Sequence, residues 1–463
     1  MTESVTSPLE PWHWRSQALN NRSGSEIFTA LFINEPVATL LESPSSTDSE
    51  QLQLSRYSIC AGAPRTVAEK PQLWTPEVGN ILPWLRSLLA RNTNCNRTDI
   101  AHLPFTGGWL GWLGYDLAWE IEQLPELNKD TLPFPIAYWY EPECFAVLDC
   151  IAQTLWLAAG DEKQLEAMEA KLALDSQQNT TSNNSTTSDI TFLTSQAEYQ
   201  NAVKRAKEHI RAGDIFQTNL SLRFKAKTIR DSWSIYQQLQ AINPSPFASY
   251  WRSPWGDVIS CSPERLVQLE GNLAQTRPIA GTRRRGKDIE SDRALAAELL
   301  QDNKERAEHI MLVDLERNDL GRVCQWGSVE VDELLVIERY SHVMHLVSNV
   351  RGVLKSDRDA VDLIKGVFPG GTITGCPKVR CMEIIETLEP VRRSLFYGSC
   401  GYLARRGNLD LNILIRTLLY ITTEDKADVY GQVGAGIVAD SDPAREWYES
   451  LNKAEAQIAA LIS

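Results

Sequence analysis

Residues 176–189 read SQQNTTSNNSTTSD, a stretch so polar and so low in complexity that no packed core can run through it. With no apolar side chains to bury, it cannot offset the entropy of ordering its own backbone. It predicts an N-terminal lobe over residues 1–175, a linker over 176–189 and a second lobe over 190–463. The remainder is well supplied with apolar residues. Hydrophobic residues make up 43% of the 463, enough for a large core.

Strand-like runs and turn residues dominate the first lobe. In the second, residues 197–212 carry helical spacing and stop at Gly213, and 257–260 and 265–268 read as short strands. Residues 291–316 read as one helix, rich in Ala, Leu, Glu and Lys and poor in breakers. Helices over 361–367 and 379–387 flank a glycine-rich loop, and 412–421 and 429–437 read as buried strands. Ser441-Asp442-Pro443 supplies a cap and a first-turn proline for a last helix. Strands and helices do not alternate regularly, so the expected class is α+β rather than repeated βαβ units.

Charge narrows the function. Lys plus Arg is 46 against 60 Asp plus Glu, a net charge of −14, and the only basic run is Arg283-Arg284-Arg285. An acidic chain without a basic stripe is a poor nucleic-acid binder. No apolar run is long enough to span a bilayer, and the first residues, MTESVTSPLEPWHW, lack the pattern of a signal peptide. The nine cysteines form an odd set without CxxC spacing, which points to reduced thiols in a cytoplasmic enzyme that acts on a small molecule.

Several clusters could carry chemistry. Glu305 and Glu308 lie three apart on one helix face, and Glu446 and Glu449, with Lys453 four further on, repeat the arrangement in the last helix. Facing one another, such pairs suit a hard cation such as magnesium; apart, they are ordinary solvated faces. The loop FPGGTITGCPK, 368–378, carries Gly370, Gly371 and Gly375, which free the backbone to aim N–H groups at an anion. It is not a Walker loop, because Cys376 stands where Lys is required. Gly434, Ala435 and Gly436, in GAGIVA, fall too near the end of the chain for a dinucleotide fold, and close approach to a small ligand is the better use of them. His345 and Glu264 are candidate acid–base groups, each equally readable as a structural residue.

Taken together, QTRPIAGTRRRG, KERAEHIMLVDLERNDLGRV, ERYSHVMHLVSNV, FPGGTITGCPKVRCMEIIETLEP, FYGSCGYL and QVGAGIVADS resemble the successive signatures of the chorismate-utilising enzymes. That family includes anthranilate synthase component I, aminodeoxychorismate synthase component I, isochorismate synthase and salicylate synthase. The first lobe resembles it as well, through LLES at 40–43, RYS at 56–58 and GGWLGWLGYD at 107–116. The resemblance implies antiparallel sheets flanked by helices and a deep cleft in the C-terminal region. It implies Mg2+ on Glu308 and Glu449, with Glu305 and Glu446 beside them, gripping the ring carboxylate of chorismate and polarising its C4 hydroxyl. It places His345, as proton donor, and Thr372 at the leaving hydroxyl, and Glu264 near C2. Tyr397, Arg416, Gly436 and Lys453 match positions that hold substrate carboxylates, with Gly434, Ala435, Gly281 and Thr282 around them.

The resemblance also frames the product. Many aminodeoxychorismate synthases carry a lysine that attacks C2 where this chain has Ala280, and Ala280 by itself favours anthranilate formation. The loop FPGGTITG and the PFTGGWLGWLGYDL segment resemble the aminodeoxychorismate branch, and that branch is the preferred reading, with anthranilate synthase as alternative and a catalytically silent chorismate sensor as a third. Ammonia would come from a separate glutamine amidotransferase subunit. A tryptophan pocket is expected from Leu41, Glu42 and Ser43 together with Asn243, Pro244, Ser245, Pro246 and Phe247.

Overall fold

A computed structural model describes residues 11–43, 56–91, 98–174, 190–340 and 343–462. Alternating apolar strands assemble into two large antiparallel sheets, one of twelve strands and one of ten, with helices packed around them. This is the expected α+β class. Residues 176–189 lie outside the described residues, and the strands that precede and follow them hydrogen-bond to one another in both sheets. In the larger sheet Ala38–Glu42 pairs with Phe247–Ser253, placing Glu42 opposite Ala248. In the smaller, Gly108–Leu113 pairs with Ser399–Ala404. The core joins the same two parts of the chain: Trp112 packs on Tyr138 with ring centroids 4.3 Å apart and meets Trp251 edge-on at 6.0 Å. Each such aromatic pair adds about 0.5–1.5 kcal/mol beyond its buried area.

Most local expectations are met where caps and periodicity agree. The helix Gln196–Ala212 opens on a Ser195–Glu198 capping box and closes on Gly213 at φ 79°. Asp442 accepts from the backbone of Ala444 and Arg445 at the start of Pro443–Ile462.

Two expectations are corrected. The helix read over 291–316 is two helices, Ile289–Gln301 and Asn303–Val323. Asp302 stands between them in extended conformation and accepts from the backbone of Lys304 and Glu305, so a side-chain cap restarts the helix where periodicity shows no break. The single strand read over 412–421 is likewise two, Leu409–Asn412 and Thr417–Thr422. The first belongs to the smaller sheet and the second to the larger, so residues 413–416 carry the chain across. Arg416, at φ 50°, sits at the end of that crossing. A largely apolar run, interrupted only by Arg416 and Thr417 after Asn412, does not reveal that its two halves serve different sheets.

Candidate active site

The Asn303–Val323 helix brings Glu305 and Glu308 toward the last helix, where Glu446 and Glu449 stand one turn apart. Their charges act on one another. Burial first, and then the neighbouring Glu305, hold the Glu308 carboxyl above its ordinary value, with Glu449 adding to the effect and Lys304 and Lys453 opposing it. Burial and Glu449 raise Glu446 as well. One oxygen of Glu446, Oε2, is buried without a hydrogen-bond partner. Lys453 donates to Glu449 at 2.9 Å and to the Gly434 carbonyl at 3.2 Å. Among the described residues no three His, Cys, Asp or Glu side chains converge into a ready-made metal cluster. The two acidic ranks nevertheless offer oxygen donors only, and that chemistry suits a hard cation whose shell is completed by ligand or water.

Opposite this rank, the strand Ala427–Ile437 places Gly434, Ala435 and Gly436 against Ser221, Leu220 and Asn219 of the strand Gln217–Thr228. A side chain on Gly436 would stand 2.7 Å from Gln217 Nε2 and 3.4 Å from Glu308 Oε1, so glycine there keeps the wall thin. Gln217 reaches Glu308 at 3.3 Å.

The glycine loop forms a second wall. Thr374 ties it to the Gln217–Thr228 strand, its carbonyl accepting from Asn219 N at 2.8 Å. Thr372 turns its hydroxyl toward the Glu264 carboxyl without closing an ordinary hydrogen bond. Glu264 is buried; desolvation, with Glu316 nearby, pushes it up to about 8 against the easing of Thr372 and Arg416, so at neutral pH it is a neutral acid.

His345 lies on the strand Val343–Val353 across from Thr282, next to the Ala280 to Leu346 pair, with a bulge between Ala280 and Thr282. Its Nδ1 lies 2.9 Å from the Thr282 hydroxyl and 3.3 Å from the Gly281 carbonyl. A carbonyl only accepts, so Nδ1 carries the proton and Nε2 is left as an acceptor. Burial, reinforced by Arg416, pushes His345 down to about 3. The ligand-free chain therefore holds this imidazole uncharged, and it can donate from Nε2 only after it has gained a proton. Arg416 donates to Asn243 Oδ1 at 3.0 Å, and among the described residues no carboxylate pairs with it. A largely buried guanidinium without an ion pair is suited to a carboxylate of a ligand.

Beside the expected site residues Thr372, Tyr397 and Glu446, the structure brings out two that the sequence did not single out, Gln217 and Asn219. Gln217 Oε1, Asn219 Oδ1, Thr372 Oγ1, Tyr397 Oη and Glu446 Oε2 are all buried without partners. Buried polar atoms are normally satisfied, so orphans on adjoining walls mark surface built for a ligand. Gln217 and Asn219 sit in an ordinary-looking strand, and only its pairing with Gly434–Gly436 could have drawn attention to them.

The residues grouped as a tryptophan pocket fall into two places. Leu41, Glu42, Ser43, Pro246 and Phe247 line a cavity of about 120 Å3 together with Arg265 and Asp410. Asn243, Pro244 and Ser245 instead line a small enclosed cavity with Tyr340, His345 and Arg416. Glu42 is already engaged, accepting from Ser25 N at 2.8 Å, the Ser25 hydroxyl at 2.7 Å and the Tyr236 hydroxyl at 3.0 Å.

Paired carboxylates beside Gly281 and Gly436, together with a buried acid and a neutral imidazole on which Arg416 acts, are the groups that holding and protonating a small polyanionic acid would need. The chain belongs to the chorismate binding enzyme family, which matches residues 40–459. It is 62% identical over 457 residues to the anthranilate synthase component I-like protein of Synechocystis, covering 98% of this chain and 92% of that one. It is 46% identical over 367 residues to aminodeoxychorismate synthase component 1 of Bacillus subtilis, covering 77% of each. The crystal structure of anthranilate synthase component I from Streptococcus pneumoniae superposes with a TM-score of 0.75 at 31% identity, covering 87% of this chain and 92% of that one. No helix among the described residues is long and apolar enough to cross a membrane.

Proposed function

We propose that this chain is the synthase component that converts chorismate and ammonia to 4-amino-4-deoxychorismate, with a separate glutaminase subunit as the ammonia source. The observation that supports chorismate chemistry is a run of neighbours: Arg416 acts on Glu264 and His345, His345 lies against the Gly281 carbonyl, and a side chain on Gly281 would stand 3.1 Å from Glu305. The choice of product rests on the FPGGTITG loop and on likeness to the Bacillus enzyme. Glu308 and Glu449 would hold Mg2+, with Glu305 and Glu446 adjacent; when bound, the ion would supply Lewis-acid polarisation of the leaving hydroxyl. Arg416 takes one substrate carboxylate through its fork, and the backbone of Gly434–Gly436 with Lys453 takes the other once Lys453 leaves Glu449. Glu264 starts protonated and His345 starts neutral, so Glu264 is the resting acid and His345 the resting acceptor.

Ala280 supports a second reading, anthranilate formation, because alanine cannot form a covalent adduct at C2. The first reading therefore requires ammonia to reach C4 without a lysine at that position. The cavity beside Leu41 would take an aromatic amino acid such as tryptophan.

Purified protein incubated with chorismate, ammonium chloride and magnesium chloride decides between them. The expected product yields p-aminobenzoate only after a lyase is added, and EDTA stops its formation. Direct appearance of anthranilate with pyruvate would overturn the first reading in favour of the second.

A further inference from the structure

Glu264 is enclosed at 5% exposure, and a substrate filling the cleft would close its nearest way to solvent. Any carboxyl that gives up or takes a proton at a reacting ring must be reset before the next turnover, and a fully enclosed one needs a path for doing so. The structure places a second buried carboxyl at its back. Glu316, on the Asn303–Val323 helix, accepts from the Thr276 hydroxyl at 3.1 Å and from the Gly371 backbone, while Glu264 faces Thr372 and the Ile279 backbone. Consecutive loop residues, 371 and 372, thus face the two carboxyls, whose charges act on one another, and a short stretch from 276 to 279 meets them from the other flank.

The line continues outward. One turn along the helix, Asp319 accepts from Lys378 Nζ at 2.6 Å, and Lys378 donates also to the Val367 carbonyl at 2.8 Å. Asp319 and Lys378 line an open cavity of about 590 Å3 whose wall includes Phe368, Cys376 and Pro377 of the glycine loop. Glu264, Glu316 and Asp319 therefore lead from a buried carboxyl to an opening lined by none of the residues assigned to substrate.

We propose that Glu316 and Asp319 form a proton path between Glu264 and the cavity beside Lys378. The inference rests on the chorismate-converting reading above and applies to either product. When Glu264 has lost its proton, the O–H bond of Glu316 breaks as an O–H bond forms on Glu264, and Glu316 is refilled from water in the cavity through Asp319. When Glu264 has gained one, the same transfers run in reverse. Lys378 holds Asp319 in place through its hydrogen bond. Burial raises Glu264 to about 8 and raises Glu316 in the same direction, so each carboxyl can hold the proton in turn, and Asp319 is raised likewise against the pull of Lys378. The groups facing the path are Thr276, Thr372, Arg416, Lys378, Arg322 and Cys376, whose thiol is held above its ordinary value by burial, with Asp314 and Asp319 adding to the effect.

Glu316→Gln keeps the shape and one accepting oxygen, for Thr276, and removes the transferable carboxyl proton. Chorismate consumption is measured with ammonium and magnesium in H2O and D2O. The expected result is a kcat about tenfold or more lower, at the modest end for a proton-transferring group. KM for chorismate stays unchanged, the solvent isotope effect on kcat grows, and added formate restores part of the rate. A merely structural role would move neither the isotope effect nor the formate response. If Glu316→Gln does not fold, Asp319→Asn carries the same expectation. Unchanged kcat and isotope effect in a folded variant overturn the path. A wild-type chain that does not consume chorismate overturns the reading beneath it, and the path with it.

Discussion

Replacing Glu264 with glutamine should abolish turnover and yet stabilise the ligand-free protein at alkaline pH. The carboxyl has an ordinary value of 4.5 and is pushed to about 8 by burial, with Glu316 adding to the effect. At about 1.36 kcal/mol per tenfold, that rise corresponds to roughly 5 kcal/mol. Its sign follows from proton binding. Between pH 4.5 and about 8 the folded chain keeps this proton while the unfolded chain releases it, so folding binds more protons and stability falls as pH rises. The contribution of the neutral carboxyl is complete below pH 4.5 and lost once pH passes about 8. Glutamine has no proton to lose, and its carbonyl can still accept from the Ile279 backbone. The variant should therefore match wild type near pH 5 and exceed it by an amount that grows to a ceiling of roughly 5 kcal/mol at pH 9. Urea unfolding of both proteins across that range, without ligand or metal, reads the difference directly. Glu316 titrates in both and cancels to first order. A gap that stays constant with pH would show that Glu264 is not buried as a neutral acid, and the assignment of Glu264 as resting acid would fall with it.

Two further substitutions probe other walls of the cleft. Arg416→Lys keeps the charge and loses the fork beside Asn243, so KM for chorismate should rise about 10- to 100-fold with a smaller change in kcat, as for loss of a charge-assisted hydrogen bond; steady-state kinetics with unchanged KM would remove Arg416 from substrate binding. Gly375→Ala puts a methyl 2.2 Å from the Gln217 carbonyl at a residue with φ 131°, so it should cost about 3 kcal/mol and lower the thermal midpoint, and an unchanged midpoint would show that the loop is loosely seated.

How much of this was legible in the sequence depends on the range of the interactions involved. Helix ends at Gly213 and Asp442 were readable because a cap and its partners lie within a few residues of each other. The family was readable because its signatures are contiguous, and their order survives without any knowledge of how they pack. The carboxylates at 305, 308, 446 and 449 were visible as pairs, but spacing could not say whether the pairs face each other or solvent.

Tertiary structure decided what depends on contacts between distant segments. It split one apolar run between two sheets and so put Arg416 at a crossing, and it divided the expected tryptophan pocket into two cavities. It brought Gln217 and Asn219 beside Gly434–Gly436 and left their side-chain oxygens unpaired. It also set protonation states, making Glu264 a resting acid, the reverse of what its ordinary value gives, and holding His345 uncharged well below neutral pH. Composition and periodicity record each residue's own preference. Desolvation and the field of neighbours are properties of the folded surroundings, and in a buried cleft they outweigh intrinsic acidity by several kcal/mol.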